Sequence, residues 1–207
     1  QQQLRKEIRD FANREILPNV MKWDEASEFP VDVVKQLGQM GLLGILLPAE
    51  YGGAELGYVE YVLAVEELSA GDGSIGIIVA SHNSLCTNHI FLAGNEEQKR
   101  RYLPKIASGE EIWCQLFSEP AGGSDVAGLR TRAERDGDHW IINGQKIWTS
   151  GAHYSDYGLL ITRTDPNVPK HKGLTMFFLD MKSKGVEVRP IKQANGMQEF
   201  NEVYFTD

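Results

Sequence analysis

Cysteine is scarce in this sequence: 207 residues contain only Cys86 and Cys114, far apart and without a partner at metal-ligand spacing. This excludes a disulfide framework and favours a reducing setting, with both thiols as small apolar fillers in hydrophobic runs. Long apolar runs are missing too. No stretch reaches the length needed to span a bilayer, and the polar start Gln1–Asp10 is not a signal peptide. Positive charge is in deficit, because 21 Lys and Arg face 29 Asp and Glu for a net charge of −8. That excludes the basic footprint of a nucleic-acid surface. A small anionic ligand remains compatible, since a local nest of backbone N–H groups binds phosphate even on an acidic protein. Internal repeats and low-complexity segments are also absent, and 42% hydrophobic with 24% charged residues is the balance of a folded, globular chain.

What is present divides by period. Leu4, Ile8, Phe11 and Ile16 recur at helical spacing up to Pro18. A second helix is predicted from Pro30, with Val33, Val34 and Leu37 inward, to Gly41. After a Pro–Ala–Glu–Tyr–Gly–Gly turn at 48–53, a third helix is predicted over Tyr58–Ala70. The fourth spans Ser74–Leu92 and is apolar on most sides, as a buried helix is. Asn95 with Gln98 forms a capping-box start for a fifth. Near Glu110 the pattern changes to short strand-like runs at 112–117, 131–136, 139–142, 146–150, 157–163, 174–181, 186–191 and 199–205. Asn143–Gly144 between two such runs predicts a tight hairpin turn, because both positions tolerate positive φ. The expectation is an α+β chain: a helical domain over 1–109, then an antiparallel, barrel-like β domain over 110–207. The chain starts without Met and stops directly after a strand, whose edge a domain cut there would expose, so missing sequence is expected on both sides.

Two segments are candidates for chemistry. Phe117–Asp125 reads Phe–Ser–Glu–Pro–Ala–Gly–Gly–Ser–Asp and follows a predicted strand. Its glycines allow close backbone approach to a ligand, and Ser118 and Ser124 place hydroxyl donors toward each end, which suits a pyrophosphate cradle. A glycine-rich surface turn explains the same composition equally well. The second segment, Trp148–Thr149–Ser150, ends a strand; an indole followed by two hydroxyls can stack on a planar ring and bond its heteroatoms. A core tryptophan is the commoner explanation for such a residue.

Other signals lead elsewhere. Gly71, Gly73 and Gly76 fit Gly-x-Gly-x-x-Gly, but a helix rather than a strand precedes them, so they read as a helix–helix turn. His82 and His89 stand two turns apart on an apolar helix, too far to clasp one ion, and no metal site is expected. Glu66–Glu67 and Glu96–Glu97 read as solvated helix charges. His153 reads as a loop residue close to the tryptophan segment, and Arg163 as a surface or ion-pair residue that could alternatively meet a phosphate.

Taken in order, the turn at 48–53, Gly94–Leu103, Pro104–Lys105–Ile106, Gly109, Ser118–Glu119–Pro120, Ser124–Asp125 and Asn143–Gly144–Gln145–Lys146–Ile147–Trp148 resemble the acyl-CoA dehydrogenase family over nearly the whole chain. The resemblance implies an N-terminal helical domain and a middle β domain, with the family's C-terminal helical bundle not included. It implies FAD as cofactor. The segment matching Gln115–Ser124, with Phe117 and Gly123 in it, wraps the flavin and its pyrophosphate, the residue matching Ser118 bonds the ring, and that matching Ser124 also lies near the acyl-CoA substrate. The segment matching Trp148, Thr149 and Ser150 covers one flavin face, with Ser150 reaching toward N5. Ser118 and Ser150 stand where threonine is common in the family, and Ala121–Gly122–Gly123 replaces the frequent Gly–Ala–Gly.

The implied reaction removes a proton from Cα and a hydride from Cβ of an acyl-CoA thioester. Such chemistry needs a carboxylate base, hydrogen bonds to the thioester carbonyl and a cofactor that accepts the hydride. The family's usual base lies in the C-terminal bundle, beyond Asp207, so no catalytic residue is assigned here. The resemblance also implies an electron-transfer flavoprotein as acceptor, a homodimer or tetramer, and a place in the cytoplasm, or the mitochondrial matrix if a targeting segment has been removed. Two alternatives stay open: an acyl-CoA oxidase or nitroalkane-oxidase-like flavoprotein on the same scaffold, and a non-catalytic FAD-binding subunit of a heteromer.

Overall fold

A computed structural model describes residues 1–207, which divide into two compact units, Gln1–Glu111 and Ile112–Asp207. The first is helical: α1 (Gln2–Phe11) runs into a π-helical turn at Ala12–Ile16, followed by α2 (Val20–Ala26), α3 (Val31–Gln39), α4 (Tyr58–Gly71), α5 (Gly73–Ser84), α6 (Cys86–Ala93) and α7 (Glu96–Ser108). Ile8, Phe11, Ile16, Leu37, Leu43, Leu68 and Ile75 form its core, the helical-period positions turned to one side. No helix is long and apolar enough to cross a membrane.

Local chemistry sets the helix ends. Asn95 Oδ1 accepts from the Gln98 N–H and Gln98 Oε1 from the Asn95 N–H, both at 2.9 Å, which is the reciprocal cap predicted for α7. The glycine series at 71–76 is a helix–helix turn, with Asp72 Oδ1 capping the Ser74 N–H. Gly76 is needed for packing, because a Cβ there would lie 1.8 Å from Ser69 Oγ. The single helix predicted over Ser74–Leu92 is instead two. Leu85 leaves helical geometry at φ −86°, ψ −99°, and the Thr87 hydroxyl donates to the His82 carbonyl. Side-chain hydroxyls competing for backbone carbonyls weaken a helix at such a point.

The second unit is a curled, mostly antiparallel sheet of seven strands: β1 (Trp113–Leu116), β2 (Arg132–Asp136), β3 (His139–Ser150), β4 (Tyr157–Arg163), β5 (Leu174–Asp180), β6 (Val186–Pro190) and β7 (Phe200–Phe205), in the order β1-β4-β2-β3-β7-β6 with β5 also on β4. Leu116, Leu160, Val203 and Phe205 fill its core.

Two expectations are corrected. The sheet is not wholly antiparallel: β1 runs parallel to β4, and β2 meets β4 in parallel at Arg132–Arg163. β1 ends at Leu116, level with Leu160, and β2 begins at Arg132, level with Arg163, so the crossover from Phe117 to Thr131 is a long excursion that rejoins β4 further along in the same direction. Second, Asn143–Gly144 is no hairpin turn. The turn is at Gly137 (φ +58°), and β3 continues unbroken through Gly144. There the strand changes partner, Asn143 pairing with Arg132 of β2 and Gly144 with Phe205 of β7. Gly144 has φ +151°, and a Cβ would meet Thr131 Oγ1 at 2.5 Å, so glycine permits a bend where two strand pairings meet.

Candidate functional site

The crossover after β1 and the far end of β3 lie side by side. The Ile147 N–H donates to the Ser118 carbonyl at 2.9 Å. One residue earlier, Lys146 Nζ donates to the Phe117 carbonyl at 3.0 Å and to Glu119 Oε1 at 2.9 Å. Glu119 also accepts the N–H groups of Arg130 (2.6 Å) and Thr131 (2.8 Å), which closes the crossover back on itself. Lys146 is 0% exposed, so this ion pair is a buried bracket between the two predicted segments. Burial pushes the Lys146 ammonium below its ordinary pKa, and Glu119 opposes that push. For Glu119, burial raises the carboxyl, but the Thr131 side chain, the two backbone N–H groups and Lys146 outweigh it and hold it below the usual carboxylate range.

Between Glu119 and Gly122 the backbone makes two reciprocal hydrogen bonds of 3.0 Å, so Pro120–Ala121 is a tight turn tip. Gly123 and Ser124 follow, exposed. A Cβ on Gly123 would lie 3.3 Å from Ser118 Oγ, so glycine leaves the space beside that half-buried hydroxyl open. Beyond them Asp125 accepts from Lys170 Nζ at 2.8 and 2.9 Å, a contact that lowers its carboxyl pKa and anchors the distal end of the loop. Gln115 is half-buried on β1, alternating with the inward Cys114 and Leu116, and Phe117 is half-buried just past the strand end.

Trp148 is not a core residue. It is 56% exposed and holds φ +60°, a left-handed backbone that a bulky L side chain rarely adopts. The cause is a β-bulge: Lys146 pairs with Val203 and Thr149 with Asn201, so Ile147 and Trp148 together oppose Glu202. The extra residue re-aims the indole outward, edge-on to Phe200 with centroids 6.1 Å apart. Ser150 is exposed beside it, whereas the Thr149 side chain is buried, its hydroxyl without a hydrogen-bond partner. Of the three residues predicted here, Trp148 and Ser150 present side chains outward and Thr149 presents backbone.

The His82 ring donates from Nε2 to the Ile106 carbonyl at 2.8 Å, and burial lowers its pKa; His89 Nδ1 lies 2.6 Å from the Leu85 carbonyl. Glu67, expected on a solvated face, is instead buried and bound by Arg5 (2.6 Å) and Arg9 (2.7 Å). Arg163 bonds the carbonyls of Ala127 (2.5 Å), Leu129 (3.4 Å) and Lys170 (3.2 Å) and walls a cavity of about 560 Å³. His153 is exposed, with Nδ1 3.2 Å from the Asn201 amide. Cys86 and Cys114 are both buried, and burial pushes the Cys114 thiol up to about 11.

Lys146, Glu119 and Asn201 have no individual role predicted from the sequence. For Lys146 there was a usable signal: a lysine on the inward register of an apolar strand needs a buried partner.

Residues 1–110 match the family model described as acyl-CoA dehydrogenase, N-terminal domain, and residues 114–207 that described as acyl-CoA dehydrogenase, middle domain. The mitochondrial isovaleryl-CoA dehydrogenase of Pongo abelii is 38% identical over 212 residues, covering 100% of this chain and 50% of the relative. Among solved structures, a glutaryl-CoA dehydrogenase from Mycobacterium smegmatis in complex with FADH2 gives a TM-score of 0.88 at 33% identity, over 100% of this chain and 52% of that one. An acyl-CoA dehydrogenase from Geobacillus kaustophilus gives 0.92 at 30% identity, over 100% and 55%. The chain thus spans about half the length of these proteins.

Proposed function

Because this chain belongs to the acyl-CoA dehydrogenase family, we propose that its second unit forms the protein side of an FAD site used to dehydrogenate acyl-CoA thioesters. The supporting observation is the 2.9 Å bond from Ile147 to Ser118, which brings two separately predicted segments to one place with an exposed indole between them and solvent. The residues present fit such a cofactor. The space beside Gly123 that a Cβ would fill, the free face of Trp148 and the exposed Ser150 suit a flat, polar-edged ring joined to a pyrophosphate.

Bound FAD supplies the hydride acceptor, at N5. In this reading Ser118 bonds the ring edge, Gly123 and Ser124 offer backbone and hydroxyl donors to phosphate oxygens, and Trp148 covers one ring face and excludes water. Ser150 orients its hydroxyl toward N5, Thr149 contributes backbone, and Gln115 and Phe117 line the approach. Ser124 also borders the acyl-CoA. The proton at Cα is taken by a carboxylate that none of these residues supplies. An electron-transfer flavoprotein as acceptor and a homo-oligomeric assembly complete the proposal.

Visible-absorbance titration with FAD tests it. Trp148→Ala and Ser118→Ala are each expected to weaken FAD binding at least tenfold without unfolding the protein, and acyl-CoA added anaerobically is expected to bleach the flavin of a protein that joins this chain to the bundle carrying the base. Unchanged affinity in both variants would remove the site. Rapid peroxide release on turnover would point to an oxidase instead.

A further inference from the structure

The Lys146–Glu119 bracket is more than a fastening. Lys146 Nζ sits on the Phe117 carbonyl, and the other half of that peptide group is the Ser118 N–H. The chain has no cis peptides, so this C=O and N–H lie in one plane and point in opposite directions from the C–N bond, the lysine on the carbonyl side and the N–H facing away from it. No backbone or side-chain acceptor of the protein takes the Ser118 N–H, whereas the next N–H, of Glu119, is used by Gly122. A cation bonded to a carbonyl polarises its peptide and strengthens the N–H as a donor, and the gain is larger in a dry interior than in water.

We propose that Lys146 is a positioning residue that acts through the Phe117–Ser118 peptide, sharpening the Ser118 N–H as a donor to bound FAD and thereby favouring the reduced cofactor. The inference rests on the FAD reading above. Reduction places electron density on the flavin ring, so a stronger donor at its edge binds the reduced form better than the oxidised one. Glu119 sets the strength of the effect, because its carboxylate offsets the ammonium at 2.9 Å.

The test measures the two-electron midpoint potential of FAD in a protein that joins this chain to the family's C-terminal bundle, together with the affinity for oxidised FAD. Lys146→Met is expected to weaken reduced relative to oxidised FAD about tenfold, a potential about 30 mV more negative for a two-electron couple. Glu119→Gln leaves the ammonium without its neutralising partner and is expected to shift the potential in the opposite direction. Lys146→Arg, which keeps the charge, is expected to restore most of the wild-type value. A bracket that only holds the segments together would give no shift, or shifts of the same sign in both charge-removing variants, and either result overturns the proposal. If Lys146→Met does not fold, the sign of the Glu119→Gln shift and the Lys146→Arg value decide it. A protein that joins this chain to the family's C-terminal bundle and still binds no FAD removes the functional reading itself, whereas bound FAD with an unmoved potential overturns only the role of Lys146.

Discussion

Asn201 donates from its buried amide to the Thr149 carbonyl at 2.9 Å, so the strand end that carries Trp148 is fixed from β7 and not by its own sequence. The bulge, the left-handed tryptophan and the orphaned Thr149 hydroxyl all follow from that pairing.

Trp148 at φ +60° predicts an ordering of variants. Glycine accepts this backbone freely while alanine keeps the strain, so Trp148→Gly is expected to be about 1 kcal/mol more stable than Trp148→Ala. Both are expected to lose FAD affinity. Urea unfolding midpoints and flavin titrations check the two halves separately, and equal stabilities would mean that the position carries no strain.

Thr149→Val keeps the shape and removes a buried hydroxyl that has no partner. It is expected to stabilise the protein by about 1 kcal/mol. Oxidised FAD should bind within about threefold of wild type, since backbone is what Thr149 offers; a larger loss in the titration would assign the hydroxyl to the ligand.

Gly144 and Gly137 make a matched pair. A Cβ on Gly144 meets Thr131 atoms at 2.5 to 2.8 Å, whereas nothing lies within 4 Å of one on Gly137. Gly144→Ala is expected to cost about 2–4 kcal/mol, from crowding plus backbone strain, and Gly137→Ala about 1 kcal/mol from strain alone. Chemical denaturation of both variants would expose a wrong assignment of the bend if the order were reversed.

Acid is expected to weaken the helical unit in two steps. Burial holds His82 below its ordinary 6.5, so the unfolded chain takes up a proton first and stability falls as pH drops below that value. Glu67 is held below its ordinary 4.5, chiefly by the Arg9 hydrogen bond, with Arg5 adding to it and burial opposing. Its contribution is complete above 4.5 and is lost as pH falls through the lowered folded value. Unfolding free energies measured against pH should lose the first slope in His82→Gln and the second in Glu67→Gln. A profile unchanged in either variant would show that the group does not couple to folding.

Local features carried much of the fold in the sequence alone. The Asn95–Gln98 cap, the glycine turn at 71–76 and the alternation along β1 are each set by residues a few positions apart. Features requiring a distant partner were misread. Asn143–Gly144 has ideal turn chemistry, yet the glycine serves a change of strand partner that only Phe205 and Thr131 reveal. Trp148 looked like core because nothing near it in sequence announces a bulge against Glu202. Among candidate site residues, the hydroxyl and glycine positions were visible as a motif. The lysine behind them signals by its inward register that it needs a buried partner, but not that the partner is Glu119, 27 residues earlier.

The change of partner along β3 bears on how this unit comes into being at the ribosome. Thr149 waits for Asn201, 52 residues downstream, before its carbonyl finds the amide that fixes it. At roughly 5–20 residues per second, that leaves several seconds in which the emerging chain holds the indole and the glycine turn but no strand to seat them. Ligand capture during synthesis is therefore closed until β7 has been made, and slow translation across the β4–β6 stretch would prolong exposure of an unpaired strand half to aggregation.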